Sequence, residues 1–262
     1  MATVICLSNE KGGCGKSSTA ANLGFGLARH GKKVLLLDAD AQGSLTISLG
    51  YQQPDKLPTT LSTIIRDIID ETPLNPTIGI LHHWEGVDIM PANIKLAKTE
   101  VIIASEMERE RETILRQYIN MVKPLYEYII IDTSPSLGLM TLNALAASDK
   151  VIIPVVPKYL DIKGLELLLK TIAGLRKKIN PSLEISGVLF TMVDRRVKDS
   201  QKKIDLVSTT YGGNINIFAE QIPISARAAE TSGEGKSIFA YDPRGKATAA
   251  YESFVERVLD VA

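Results

Sequence analysis

The chain alternates short, β-branched apolar runs with longer stretches whose apolar residues recur at helical spacing. The runs are Val4 to Leu7, Val34 to Leu37, Tyr128 to Ile131, Val151 to Val156, Ser186 to Thr191 and Asn216 to Ile222. Near-continuous apolar runs of this length are what strands covered on both faces require. Between them the spacing predicts helices over Lys16 to Arg29, Leu61 to Ile69, Ile94 to Met121, Leu137 to Ala147, Ile162 to Ile179, Ser200 to Tyr211 and Ala247 to Val261. That βαβα order predicts an α/β fold, a doubly wound and mostly parallel sheet with helices on both faces. The segment Tyr51 to Thr60, with Pro54 and Pro58, reads as a surface loop ending at a helix start near Thr60. In the long helix, Glu106, Glu108, Arg109, Glu110, Arg111 and Glu112 have spacings that allow opposite-charge pairs, the usual signature of a solvated face.

Composition narrows the class. At 262 residues with 45% hydrophobic content the chain can bury a sizeable core, and no repeat, low-complexity tract or linker divides it, so residues 1–262 are expected to form one domain. Thirty basic side chains balance thirty acidic ones, so a nucleic-acid site has to be a local patch rather than a whole-molecule field. The N-terminus lacks a secretion-signal pattern, and no apolar run approaches the ~18 residues of a membrane helix. The two cysteines, Cys6 and Cys14, suit a reducing compartment and offer no metal-ligand spacing.

The chemistry is concentrated in Asn9-Glu10-Lys11-Gly12-Gly13-Cys14-Gly15-Lys16-Ser17-Ser18, directly after the first strand and before an Ala-rich helix. Glycines there let backbone N–H groups turn inward around a phosphate while the helix aims its positive end at the same place. Lys16 adds a full charge on the β- and γ-phosphates, and Ser17 offers a hydroxyl to Mg²⁺. The fold is therefore expected to be of the P-loop NTPase type. Two more acidic segments follow strands: Asp38-Ala39-Asp40-Ala41-Gln42-Gly43 and Asp132-Thr133-Ser134-Pro135-Ser136. Alone, either would read as a strand-end aspartate capping a turn. In an open α/β sheet, though, the carboxyl ends of strands are where ligands bind, so both can converge on the nucleotide.

Glu10 stands where the common phosphate-loop pattern needs glycine. What stands here instead, Lys11-Gly12-Gly13-x-Gly15-Lys16-Ser17, resembles the deviant phosphate loop of the ParA/MinD superfamily. The resemblance continues through Pro91-Ala92-Asn93, Thr141-Leu142-Asn143, Val151-Ile152-Ile153-Pro154, Thr191-Met192-Val193-Asp194 and Ile222-Pro223, and covers essentially the whole chain. It looks closest to the small ParA, or Soj-like, proteins, since the phosphate loop begins too near Met1 for a preceding DNA-reading domain.

This resemblance implies an ATPase that cycles between monomer and ATP-bound homodimer. It implies that Lys11 reaches the partner subunit's nucleotide, that Asp40 orients the attacking water, that Asp132 holds Mg²⁺ through its water shell, and that Asp38 lies near the metal. The loop residues Lys11, Gly12, Gly13, Cys14, Gly15, Lys16, Ser17 and Ser18 would hold ATP, with adenine near Met192 and Pro223. Ala41 stands where the family usually has proline and Ser134 where it often does, so the resemblance implies altered stiffness in both segments without loss of a catalytic atom. As dimers, such proteins bind DNA without sequence preference and are released when a ParB-type partner stimulates hydrolysis. Arg195, Arg196, Lys198, Lys202 and Lys203 form a basic run opposed only by Asp199, and Arg227 adds to it. A cytoplasmic, nucleoid-associated partition ATPase is the expectation.

A MinD-like regulator acting on a membrane or protein array is the alternative. It should end in a basic amphipathic helix, whereas Tyr251 to Ala262 carries three acids and one base. An iron–sulfur electron-transfer ATPase fails on its cysteines. A module that holds nucleotide without turnover is opposed by Lys16, Ser17, Asp40 and Asp132 together.

Overall fold

A computed structural model describes residues 2–105, 110–194 and 196–261. Among these, eight strands form one sheet in the order β3-β4-β2-β5-β1-β6-β7-β8. The strands are β1 (Thr3–Leu7), β2 (Val34–Ala39), β3 (Leu81–His82), β4 (Asp88–Met90), β5 (Tyr128–Thr133), β6 (Lys150–Val155), β7 (Glu184–Val193) and β8 (Ile217–Pro223). Every pairing is parallel except that of β3 with β4. The expected doubly wound sheet is thus observed, with this short antiparallel edge added. Its two paired residues are too few to show a strand period in sequence.

Two-residue alternation divides the core. Val4 and Cys6 of β1 face one apolar cluster, while Ile5 and Leu7 face the other. On the second side lies α1 (Lys16–Arg29), covered in turn by α11 (Lys246–Val261). Two glycines set these distances. A Cβ on Gly24 would come within 2.6 Å of Leu36 Cδ2, and one on Gly26 within 2.3 Å of Val255 Cγ2. Gly26→Val should therefore overpack the α1–α11 contact and lower stability by about 2 kcal/mol, read from the urea midpoint at unchanged slope.

On the first side lie α3 (Leu61–Ile69), α4 (Lys95–Ser105), α5 (Ile114–Val122), α6 (Leu139–Ala147), α7 (Tyr159–Lys178) and α8 (Lys198–Tyr211). The helix expected as one piece over Ile94 to Met121 is instead two. Asn143 of α6 explains the restart: its Oδ1 accepts the Leu115 N–H at 3.0 Å and its Nδ2 donates to the Arg111 carbonyl at 2.7 Å. A side chain distant in sequence caps α5 and overrides helix propensity. Glu106, Glu108 and Arg109 of the expected charged face lie outside the described residues. Sequence patterning also missed the short α2 (Ser44–Ser48), α9 (Ala226–Glu234) and α10 (Ile238–Tyr241).

Thr60 closes the loop from Tyr51 as the N-cap of α3, with a reciprocal bond to Thr63. Among the described residues no helix is long and apolar enough to cross a membrane. The last helix spends Tyr251, Phe254, Val255 and Val258 on the core.

Candidate functional site

The phosphate loop leaves the end of β1, between β5 and β6, where the chain's strand order reverses. This is the crevice in which open α/β sheets bind ligands. Gly13 and Gly15 hold φ of 72° and 78°, left-handed values that bend the loop back onto the first turn of α1. Neighbouring strands brace it. Asn9 Nδ2 donates to the Pro154 carbonyl at 2.6 Å, and Thr191 Oγ1 to the Cys14 carbonyl at 2.8 Å.

Lys16 is buried, and its ammonium donates to the Lys11 carbonyl at 2.9 Å inside the loop. The cation is therefore held in place by the loop it serves. Ser17 and Ser18 begin α1 beside it, Ser17 half-buried and Ser18 exposed. Lys11 is different: its N–H is fixed by Asn9 Oδ1 at 3.0 Å, but its ammonium has no partner among the described residues.

Sheet register brings the acids together. In the β2–β5 pair Asp38 stands directly beside Asp132, and Leu7, just before the phosphate loop, pairs with Asp132 from the other side. Asp38 is fully buried and well bonded. Its Oδ1 accepts the Asp40 N–H at 3.1 Å, and its Oδ2 accepts both the Thr46 N–H at 2.8 Å and the Thr46 hydroxyl at 2.7 Å. Burial nevertheless pushes its carboxyl up to about 6, against the pull of those bonds. Asp38 thus organises the segment leading to α2. Asp40, nearly buried, accepts the Gln42 N–H at 3.0 Å.

Asp132 is the outlier. It is fully buried, and neither carboxylate oxygen has a hydrogen-bond partner among the described residues. Burial first, and the Asp38 charge second, hold its carboxyl well above the usual range, while the nearby Ser17 hydroxyl and Lys16 charge pull it down. An orphaned, desolvated carboxylate beside a serine hydroxyl and a lysine is a donor set suited to a hard, hydrated divalent cation.

Met192 and Pro223 lie together on the other flank, since Val193 pairs with Pro223 at the ends of β7 and β8. Met192 adopts φ 51°, a strained value for a methionine, and its Cε lies 3.7 Å from where a Cβ on Gly15 would stand. A cleft of about 370 Å³ opens beside Pro223, lined also by Gln221, Lys246 and Ser253. The basic residues follow the same two strands. Arg196 is exposed but doubly bonded to Asp194, at 3.0 and 2.8 Å, which holds that carboxyl down at about 2. Lys203 pairs with Asp199 at 2.8 Å. Lys198 and Lys202, one helical turn apart on α8, and Arg227 on α9 are exposed. Arg195 lies outside the described residues.

Sequence reasoning missed Thr46 and Thr191, whose hydroxyls brace Asp38 and the phosphate loop from afar. No signal in the sequence points to the first, and Thr191 stands in a family-like segment that gives no sign of its bond to Cys14.

Comparisons with known proteins give the family. The AAA domain family matches residues 2–185. The sporulation initiation inhibitor protein Soj of Bacillus subtilis is 37% identical over 260 residues, covering 98% of each chain. The chromosome-partitioning ATPase Soj of Treponema pallidum is 34% identical, covering 99% of this chain and 98% of that one. Among solved structures, cobyrinic acid a,c-diamide synthase from Mycobacterium smegmatis, with bound ATP analogue and magnesium, superimposes with a TM-score of 0.84 at 31% identity, over 99% of this chain and 95% of that one. A phosphate loop at the sheet's switch point, paired strand-end aspartates and full-length likeness of this degree agree: the chain belongs to the ParA/Soj family of partition ATPases, within the ParA/MinD superfamily.

Proposed function

We propose that this protein is a DNA-partition switch that dimerises around ATP and Mg²⁺, binds duplex DNA without sequence preference in that state, and lets go on hydrolysis stimulated by a ParB-type partner. The observation that carries the reading is Asp132, whose two buried oxygens have no hydrogen-bond partner among the described residues and are suited to a cation that would hold the carboxylate ionised. With Ser17 and Asp132 as its holders, Mg²⁺ would neutralise charge on the β- and γ-phosphates. Lys16 binds the same phosphates. The first-turn N–H groups of α1 orient them, and Asp40, just past the β2 end, positions the attacking water. Asp38 acts one step back, by holding Asp40 and Thr46 in register. The free ammonium of Lys11 is available to a second subunit's nucleotide, which would make the dimer depend on ATP. Adenine would rest against Met192 and Pro223.

Lys198, Lys202 and Arg227 supply the DNA-facing charge, with Arg196 beside them and Arg195 adjoining it in sequence. The salt bridge to Asp194 makes Arg196 a weaker contributor until that bridge opens. A cytoplasmic protein resident on the nucleoid follows from this chemistry. The membrane alternative is disfavoured by the burial of the apolar face of α11.

The test is binding to non-specific duplex DNA with ATP and with ADP at two salt concentrations. Salt-sensitive binding with ATP alone is expected. Replacing Lys198 and Lys202 together by alanine should reduce the slope of log K against log salt by about 2, without changing ATP affinity. Binding that is equal in both nucleotide states, or absent from both, would overturn the reading.

A further inference from the structure

Beyond the phosphate site, α4 touches the loop that follows Asp132 through one carboxylate. Oε1 of Glu100 accepts the backbone N–H of Met140 at 3.0 Å. Met140 sits in the first turn of α6, and the N-cap of that helix, Gly138, has no side chain with which to cap it. The fit is close, since a Cβ on Gly138 would stand 2.7 Å from the same Oε1. Glu100 thus supplies from another helix both the acceptor and the negative charge that a helix N-terminus lacks.

The other end of this loop meets the phosphate loop. Pro135 Cβ lies 3.7 Å from where a Cβ on Gly12 would be. Between the two contacts the loop has little support of its own. Ser134 and Ser136 share a hydroxyl contact at 3.0 Å, and Ser136 Oγ accepts the Gly138 N–H at 3.3 Å. A five-residue span anchored at Asp132 on one side needs a second fixed point if it is to keep one distance from the phosphates. Glu100 is that point.

We propose that Glu100 is a positioning residue for ATP hydrolysis: by capping α6 it holds 134–138 against the phosphate loop, where this segment meets the transferred phosphate. The proposal rests on the reading of Asp132 and Lys16 as parts of the nucleotide site. Glu100 does not touch nucleotide, so its loss should act on turnover and not on ground-state binding.

The experiment compares Glu100→Ala, Glu100→Asp and Glu100→Gln in the full chain. Glu100→Ala should lower kcat about fivefold while ADP affinity stays within about twofold, the loss of one helix cap being of that size. Amide exchange across 138–142 should quicken by about tenfold as the cap is lost. Glu100→Gln keeps an acceptor oxygen without the charge and should restore most of both readouts. Glu100→Asp is too short to reach and should behave like alanine, which keeps the test open if the alanine variant folds poorly. A purely structural role predicts instead that kcat and ADP affinity fall together with thermal stability and that glutamine fails to rescue; that pattern, or an unchanged kcat in Glu100→Ala, overturns the proposal. Lys16→Ala run alongside separates the two failures. Wild-type turnover in Lys16→Ala would mean the site itself is misassigned.

Discussion

Lys16→Ala should lower ATP affinity by roughly a hundredfold or more, the ~3 kcal/mol cost of removing one partner from a desolvated, charge-assisted contact. The same substitution should leave the nucleotide-free protein nearly as stable as before. Lys16 makes its one strong bond to the Lys11 carbonyl, which the Cys14 thiol also contacts at 3.2 Å. Loss of the ammonium therefore does not leave that carbonyl alone. Titration with a fluorescent ATP analogue, beside a thermal melt without nucleotide, checks both halves. A variant that loses stability and affinity together would mean that Lys16 is chiefly a structural cation.

Asp132→Asn should cut hydrolysis by about a hundredfold or more while making the nucleotide-free protein more stable at pH 8, by about 1 to 3 kcal/mol, because an unpaired buried charge costs more than an amide in the same place. The pH dependence fixes the sign. Burial raises the folded-state values of Asp132 and Asp38, the latter to about 6. For such groups the stabilising contribution is fully present below the unfolded carboxylate value, about 4, and is lost as pH rises through the folded value. Wild type should therefore shed stability relative to Asp132→Asn as pH rises from about 4 and Asp132 gives up its proton, and the advantage of the variant should vanish in acid. Urea midpoints of the two proteins across that range measure the difference. Carboxylates held low, such as Asp194, act in the opposite direction but are common to both proteins. An asparagine variant less stable than wild type at pH 8 would show that Asp132 is paired in solution.

Much of this was legible in the sequence because the strands that matter are central. Val4 to Leu7, Val34 to Leu37 and Tyr128 to Ile131 are apolar on both faces, so their runs are unbroken and their ends can be located. The acids at those ends then fall side by side by sheet register alone, as Asp38 and Asp132 do. What escaped was set by side chains far apart in the chain. The break between α4 and α5 depends on Asn143, which belongs to α6, and the apolar pattern of Ile94 to Met121 carries no sign of it. The β3–β4 edge is too short for a period. Bonding cannot be read from spacing either: Arg196 reads in sequence as free as Lys198 yet is bonded to Asp194, and nothing in the run around Asp38 points to its bonds with Thr46.

The central claim is that the γ-phosphate sets the association state. Light scattering on Asp40→Ala protein, with ATP and then with ADP, tests it directly, since slow hydrolysis keeps the ATP state long enough to weigh. The account predicts a doubled mass with ATP, monomer with ADP, and monomer in both when Lys11→Ala is added. A mass that ignores the nucleotide, or an ATP dimer that survives loss of Lys11, would contradict it.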